Sequence, residues 1–282
     1  MKKRLILLVI LCIAGLIAFF QPSVNLPLQA EHTVRTHFID VGQGDATFLE
    51  LPDSTTILID AGEQDAGETV VSYIKNLGYD KIDIVVATHP HADHIGGMAK
   101  VLRSFEVGRM YMPKKEHTSK TFANMLKVIE EKEIPLYTAK RGVILIEQTD
   151  LKAELLSPVS ESYEDLNNYS AVLNVTYGKT GLLFTGDAEQ EVEEQLLHAD
   201  ISAQILKVGH HGSSTSSSQR FLDKVNPAYA VISCGAKNDY GHPHRETMDA
   251  LSRMGCTILR TDQKGCVVLD ADKSGTVKEV SK

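Results

Sequence analysis

The sequence has no tryptophan and only four cysteines. Cys12 lies in an apolar N-terminal run, and Cys234, Cys256 and Cys266 lie in the body of the chain. No pair has CxxC spacing, so the thiols signal neither a zinc ribbon nor a dithiol redox motif. A Cys256–Cys266 bridge, which an oxidising compartment would permit, and buried free thiols on strands both fit the pattern. Basic charge is also in short supply, with a formal net charge of −8. That argues against nonspecific wrapping of nucleic acid, which relies on many Lys and Arg contacts to phosphates. Lys114, Lys115, Lys120 and Lys127 form one local basic cluster, read most simply as a solvated helix face. No tract is biased enough to suggest disorder, no short-period repeat is visible, and no linker interrupts residues 34–282. The composition is that of a globular protein, and one domain is the simplest organisation.

The N-terminus is different. Met1–Arg4 carries positive charge and Leu5–Phe20 is an almost unbroken apolar run. This matches the charged and apolar regions of a secretory signal, with Leu28-Gln29-Ala30 as a passable cleavage site. The run is slightly short for a transmembrane helix, which wants about twenty residues. The charge preceding it would place the remainder of the chain outside the cytoplasmic membrane. Residues 1–30 are therefore expected to be a signal peptide or membrane anchor, and residues 31–282 the functional domain, secreted or held on the outer face of that membrane.

From Val34 onward, strand and helix signals alternate. Thr36–Val41, Thr47–Leu51, Thr56–Asp60 and the β-branched run Ile82–Thr88 read as strands. Glu68–Leu77 and Ile95–Phe105 read as helices, the former ending at Gly78. Ser119–Lys132 is an amphipathic helix. Short strands then follow at Leu145–Glu147, Ala153–Leu156, Ala171–Tyr177, Gly181–Phe184, Ile205–Val208 and Ala228–Ser233. Helices are expected at Glu189–His198, Ser217–Val225 and Glu246–Met254, and final strands at Thr257–Arg260 and Cys266–Asp270. Hairpins followed by alternating strands and helices predict an α/β fold, a mixed sheet covered by helices.

The chemistry concentrates in His89-Pro90-His91-Ala92-Asp93-His94. Three imidazoles and a carboxylate within six residues, where a buried strand opens into a helix, are a ligand set for zinc or a similar divalent ion. Such a cluster cannot close two metal sites alone, so further ligands are expected at later strand ends. Asp187, after Phe184-Thr185-Gly186, could bridge two ions or merely cap the next helix. His210 and His211 follow the strand Ile205–Val208; one should bind metal, and the other could sit behind it or touch substrate. Ser213–Ser218 reads as loop and helix cap. His242, in Tyr240-Gly241-His242-Pro243-His244, could be a ligand, a proton donor or a surface residue, and His244 reads as a surface residue.

HxHxDH, TGD and HHGS in this order resemble the metallo-β-lactamase superfamily. His37-Phe-Ile-Asp-Val-Gly-Gln-Gly-Asp45, Leu206-Lys-Val-Gly-His-His-Gly-Ser213 and Tyr240-Gly-His-Pro-His244 are similar to one branch, the hydrolase domain of ComEC-type competence proteins. A phosphorylcholine esterase of cell-wall teichoic acid is similar in these motifs. The resemblance implies an αββα sandwich with two divalent metal ions, Zn or Mn, at one edge. It implies that His89 and His91 hold the first ion, Asp93 and His94 the second, that Asp187 bridges, and that His211 completes the second site. Many superfamily members have another histidine before the bridging aspartate. Here only His117 falls in that interval, too early to match, and water, substrate or Asn168 is left to complete the first site. Asp93 is expected to orient the attacking water, and His210 or His242 to protonate the leaving group. The implied substrate is a phosphodiester, DNA first and a wall polymer second. A weakly catalytic metal-bound binding module is the alternative from another class. With a single candidate membrane segment, the chain cannot itself be a DNA channel, and the sequence names no protein partner.

Overall fold

The structure, a computed structural model, describes residues 32–281. The expected signal or anchor, with Cys12, lies outside them. Among the described residues no helix is long and apolar enough to cross a membrane.

Two facing sheets form the centre. The first takes β1 (Thr33–Phe38), β2 (Thr47–Glu50), β3 (Thr56–Ile59), β4 (Lys81–Val86), β5 (Glu106–Met112), β6 (Leu136–Thr138), β14 (Val267–Asp272) and β15 (Val277–Glu279), in the order β15-β14-β1-β2-β3-β4-β5-β6. The second takes β7 (Ile144–Glu147), β8 (Leu151–Leu155), β9 (Leu173–Tyr177), β10 (Thr180–Phe184), β11 (Ile205–Lys207), β12 (Tyr229–Ile232) and β13 (Thr257–Arg260), in the order β13-β12-β11-β10-β9-β8-β7. Each sheet begins as an antiparallel meander and continues in parallel, from β3 onward in the first and from β10 onward in the second.

The period-two alternation of a strand decides which core each side chain joins. Ile57 and Ile59 face the second sheet, whereas Leu58 faces outward toward α1 (Gly67–Asn76), α3 (Met98–Ser104) and α4 (Lys120–Glu131). In β10, Leu182 and Phe184 face inward, and Leu183 packs toward α5 (Gln190–Leu196), α6 (Gln219–Val225) and α7 (Arg245–Met254). Three apolar cores thus separate four layers, an αββα sandwich.

The expected helix Ile95–Phe105 is two pieces, α2 (Ala92–Ile95) and α3, broken at Gly96-Gly97. The loop after β3 crosses here. A Cβ on Gly97 would lie 2.3 Å from the Ala61 carbonyl oxygen, and one on Gly96 2.4 Å from the Gln64 nitrogen. Strands β5, β6 and β15 have no counterpart in the sequence reading. Gly108 breaks the side-chain pattern of β5 where its backbone lies close against Asp83, and β6 is an exposed edge with no buried face to read. Among the described residues Cys234, Cys256 and Cys266 are not bridged to one another, and burial pushes Cys234 up to about 11. A short helix, α8 (Thr261–Lys264), links β13 to β14.

Candidate metal centre

Parallel strands release their chains at one end of the sandwich, and the polar residues gather there. β3 ends in Asp60, β4 runs into Thr88–His94, β10 into Asp187, and β11 into His210 and His211. Carboxyl ends of strands are where open α/β sheets place their ligands.

Asp60, fully buried, organises the first loop. It accepts the Thr88 N–H at 2.8 Å and the Thr88 hydroxyl at 2.7 Å, and it lies 2.8 Å from His94 Nδ1. With a carboxylate as partner, Nδ1 carries the proton and Nε2 is left to face the site. Ser170 braces the opposite strand end, accepting the Asp187 N–H at 3.0 Å and lying 3.4 Å from His89 Nδ1.

Asp93, His94, Asp187 and His211 each aim a ligand atom at one point, all within 4.8 Å of one another. His94 Nε2 lies 3.2 Å from Asp187 Oδ1; His211 Nε2 lies 3.2 Å from Asp93 Oδ2 and 3.4 Å from Asp187 Oδ2. Ligands about 2.0–2.1 Å from a tetrahedral ion stand about 3.3 Å apart, so the spacing fits a divalent cation. The orphaned atoms agree. His94 Nε2 and Asp187 Oδ1 are buried and too poorly aligned to hydrogen-bond each other despite their separation. Beside them, His89 Nε2 lies 3.0 Å from His91 Nδ1 and 3.9 Å from Asp187 Oδ2. Asp187 thus stands between the two histidine pairs, with one oxygen nearest His94 and the other facing His89 and His211. It caps no helix, because the N-cap of α5 is Glu189.

The first pair has fewer partners, and Asn168 does not complete it. Its amide donates to Glu191 Oε2 and its carbonyl accepts the Glu189 N–H, both away from the site. Asn167 lines the cleft instead, with a buried Oδ1 that has no partner. His210 sits at the side, its Nε2 3.7 Å from Asp187 Oδ2 and its Nδ1 3.0 Å from Thr215 Oγ1. His210 and His211 both have left-handed backbones (φ 48° and 53°), an expensive conformation for non-glycine residues in succession. The strain turns two adjacent imidazoles toward the same cleft.

Two site residues were missed by sequence reasoning alongside Asp60. Asp45 lies 3.3 Å from His211 Nδ1, sharing that nitrogen with the Ser233 carbonyl at 3.0 Å. Lys207 Nζ lies 2.7 Å from Asp45 Oδ2, and both side chains are almost wholly buried. The pleat of β11 puts Lys207 on the same inward face as Ile205, a lysine inside the sheet sandwich. The available signals were a lone cation in the apolar run Ile205–Val208 and an aspartate closing Thr56–Asp60.

Charge is finely opposed here. Burial works against protonation of His94 and His211, but the carboxylates, Asp187 foremost, outweigh it and hold both well above the ordinary histidine range. Burial likewise works against ionisation of Asp187, yet His211 and His94 hold it well below the usual carboxylate range. His89 is pushed well down by burial and by the charge on His94. His242, on the cleft wall, is lowered to about 4, by burial first and then by His211 and His210. His244 lies outside the ligand cluster and braces the neighbouring loop.

The fold and this cluster define a class. The family model described as "Metallo-beta-lactamase superfamily" matches residues 39–236, and the chain belongs to that superfamily. It is similar to ComE operon protein 3 of Bacillus subtilis, 33% identical over 246 residues that cover 80% of this chain and 32% of that protein. It is also similar to competence protein ComA of Neisseria gonorrhoeae, 29% identical over 270 residues covering 94% of this chain and 36% of that one. Both are competence proteins of the ComEC type, and this chain spans about a third of their length. Among solved structures, the metallo-beta-lactamase fold protein YhfI of Bacillus subtilis matches with a TM-score of 0.55 at 11% identity, covering 88% of this chain and 99% of that one. That likeness is one of fold. The superfamily consists largely of metal-dependent hydrolases, and the cluster is a possible di-metal site.

Proposed function

We propose that the protein is a metal-dependent phosphodiesterase that cleaves DNA outside the cytoplasmic membrane, carried or held there by residues 1–30. Residues 31–282 are the hydrolase domain in this reading. The observation that carries it is the convergence of Asp93, His94, Asp187 and His211 on one point in an open cleft of about 330 Å³. The similarity to competence proteins points the substrate toward DNA.

His89, His91 and Asp187 would hold one divalent ion, zinc or manganese, and Asp93, His94, Asp187 and His211 the other. Bound there, the ions supply Lewis-acid stabilisation of the attacked phosphoryl group and a water of lowered pKa. The protein's own part is positional. Asp60 and Asp45 fix the ring orientations of His94 and His211 from behind. Asp93 faces the cleft with one carboxylate oxygen able to accept the proton of the attacking water. His242, neutral at physiological pH, donates a hydrogen bond to a substrate oxygen, and His210 passes a proton to the leaving alkoxide.

A phosphodiester of a wall polymer is the second reading. The acidic balance weighs against extended contact with a polyanion such as DNA, because Glu63 lines the cleft beside the ligand carboxylates and the chain carries no compensating excess of cations. The discriminating experiment strips the metals, restores zinc or manganese, and follows cleavage of single- and double-stranded DNA beside the Asp187→Ala and Asp93→Ala variants. Metal-dependent cleavage lost with Asp187→Ala supports the nuclease. A folded, metal-loaded protein that leaves DNA intact removes DNA as substrate, and turnover of a wall-polymer phosphodiester by that protein establishes the second reading. Retained affinity for DNA with no turnover of any phosphodiester would identify a binding module. An Asp93→Ala enzyme of normal activity would remove that residue's role.

A further inference from the structure

Six large apolar side chains are conspicuously exposed among the described residues, and Tyr240 is the most exposed of them at 67%. It alone of the six lines the cleft of the metal centre. Single exposed apolar residues are normal on protein surfaces, so exposure by itself says nothing. The difference lies in where this ring is placed. It stacks on His242 at an interplanar angle of 19° and a centroid distance of 5.5 Å, and His242 in turn stacks at 29° and 6.1 Å on His211. The rings form a ladder from the metal ligands to the rim.

The backbone beneath is clamped from both sides. Asn238 accepts the His242 N–H at 2.9 Å and donates to the carbonyls of His242 and Gly235 at 2.7 and 2.8 Å. His244 accepts the Ser214 N–H at Nδ1, which leaves its Nε2–H to donate to the Tyr240 carbonyl at 3.1 Å. Gly241, at φ 75°, makes the turn that sets Tyr240 and His242 parallel. An aromatic ring set on a fixed backbone with its outer face in water gains little for the fold, whereas such a face beside a reaction centre suits a planar ligand.

We infer that Tyr240 is the stacking platform for a nucleobase next to the scissile phosphodiester, and that the substrate is therefore single-stranded DNA or a frayed end. This rests on the phosphodiesterase reading above and sharpens it. In a duplex each base is already stacked on its neighbours and cannot lie on Tyr240 without being pulled out, whereas a single strand offers its base faces freely. The platform is indifferent to base identity, because every base has a π-face.

The test compares two single-stranded oligonucleotides with the metal-loaded protein: an ordinary strand, and one in which every base is replaced by an abasic residue. Stacking on one aromatic side chain predicts that Tyr240→Ala lowers kcat/KM on the ordinary strand by on the order of tenfold to a hundredfold, chiefly through KM. Tyr240→Phe should keep most of the wild-type value. On the abasic strand the wild type should already be poor, and Tyr240→Ala should make no further difference. Equal losses on both strands, or no loss on either, would overturn the platform while leaving the phosphodiesterase intact. Wild-type protein that cleaves neither strand would overturn both.

Discussion

Replacing Lys207 by methionine isolates the electrostatics behind the metal centre. Lys207 Nζ and Asp45 Oδ2 are 2.7 Å apart, with side chains 2% and 5% exposed. At an effective dielectric of about 20 their gross attraction is about 6 kcal/mol, most of it offset by the desolvation of both groups. Methionine preserves the apolar stem and the volume but leaves Asp45 buried without its lysine, with only the histidines His211 and His94 as neighbouring positive charge. Breaking a buried pair in this way costs about 3–5 kcal/mol. The double variant Lys207→Met/Asp45→Asn buries no uncompensated charge, so it should recover more than half of that loss. Urea unfolding of the metal-free wild type, the two single variants and the double variant gives the cycle directly. Metal titration gives the second readout: Asp45 orients His211, so Asp45→Asn should weaken metal binding by about 10- to 100-fold. A Lys207→Met protein within about 1 kcal/mol of wild type, or single-variant losses that simply add in the double variant, would refute the reasoning.

Metal uptake near pH 7 should release protons, because His94 and His211 are held charged by Asp187 and its neighbours, and a ligating imidazole must be neutral. Calorimetry in buffers of different ionisation heat should show that dependence, and apparent affinity should rise with pH; heats independent of buffer would contradict it. Glu193 receives the N–H groups of Ser217 and Ser218 at the start of α6, yet burial pushes its carboxyl up to about 7. A raised folded pKa means that its contribution is complete below the unfolded value near 4.5 and is lost as pH rises through 7, about 3 kcal/mol in all. Glu193→Gln should flatten the stability profile in that window, and an unchanged profile would count against the assignment. Gly44→Ala should cost about 1–3 kcal/mol and weaken metal binding, since its Cβ would stand 2.3 Å from the Asp93 carbonyl oxygen at φ 135°; thermal unfolding and metal titration check both effects.

The metal ligands were legible because their chemistry is compressed in the sequence. His89, His91, Asp93 and His94 occupy six positions, and Asp187 and His211 each follow an apolar strand. The residues behind them were not. Asp45, Asp60 and Lys207 are single charged residues at strand ends far apart in sequence, and only the pairing of β10 with β11 and the return of the first loop bring them to the ligands. Asn167 and Asn168 show how fine the limit is. A 3-10 turn over Leu166–Tyr169 exchanges which of two identical side chains meets the cleft, and nothing in the pair itself says which. The strands of the sandwich were read where apolar residues run or alternate, as in β4 and β10. They were lost where an edge strand has no buried face, as in β6, whose three residues are all exposed. Gly96-Gly97 carried a readable signal, a close approach of backbone, that helical periodicity on either side masked.

Metal stoichiometry tests the central claim most directly. The purified protein should be stripped, reloaded with zinc or manganese, freed of excess ion, and assayed for bound metal beside Asp187→Ala. The account predicts two ions per chain in the wild type and a loss of both, or of all tight binding, when the bridging carboxylate is removed. A folded wild-type protein that retains no divalent ion, or an Asp187→Ala protein that retains both, would contradict it.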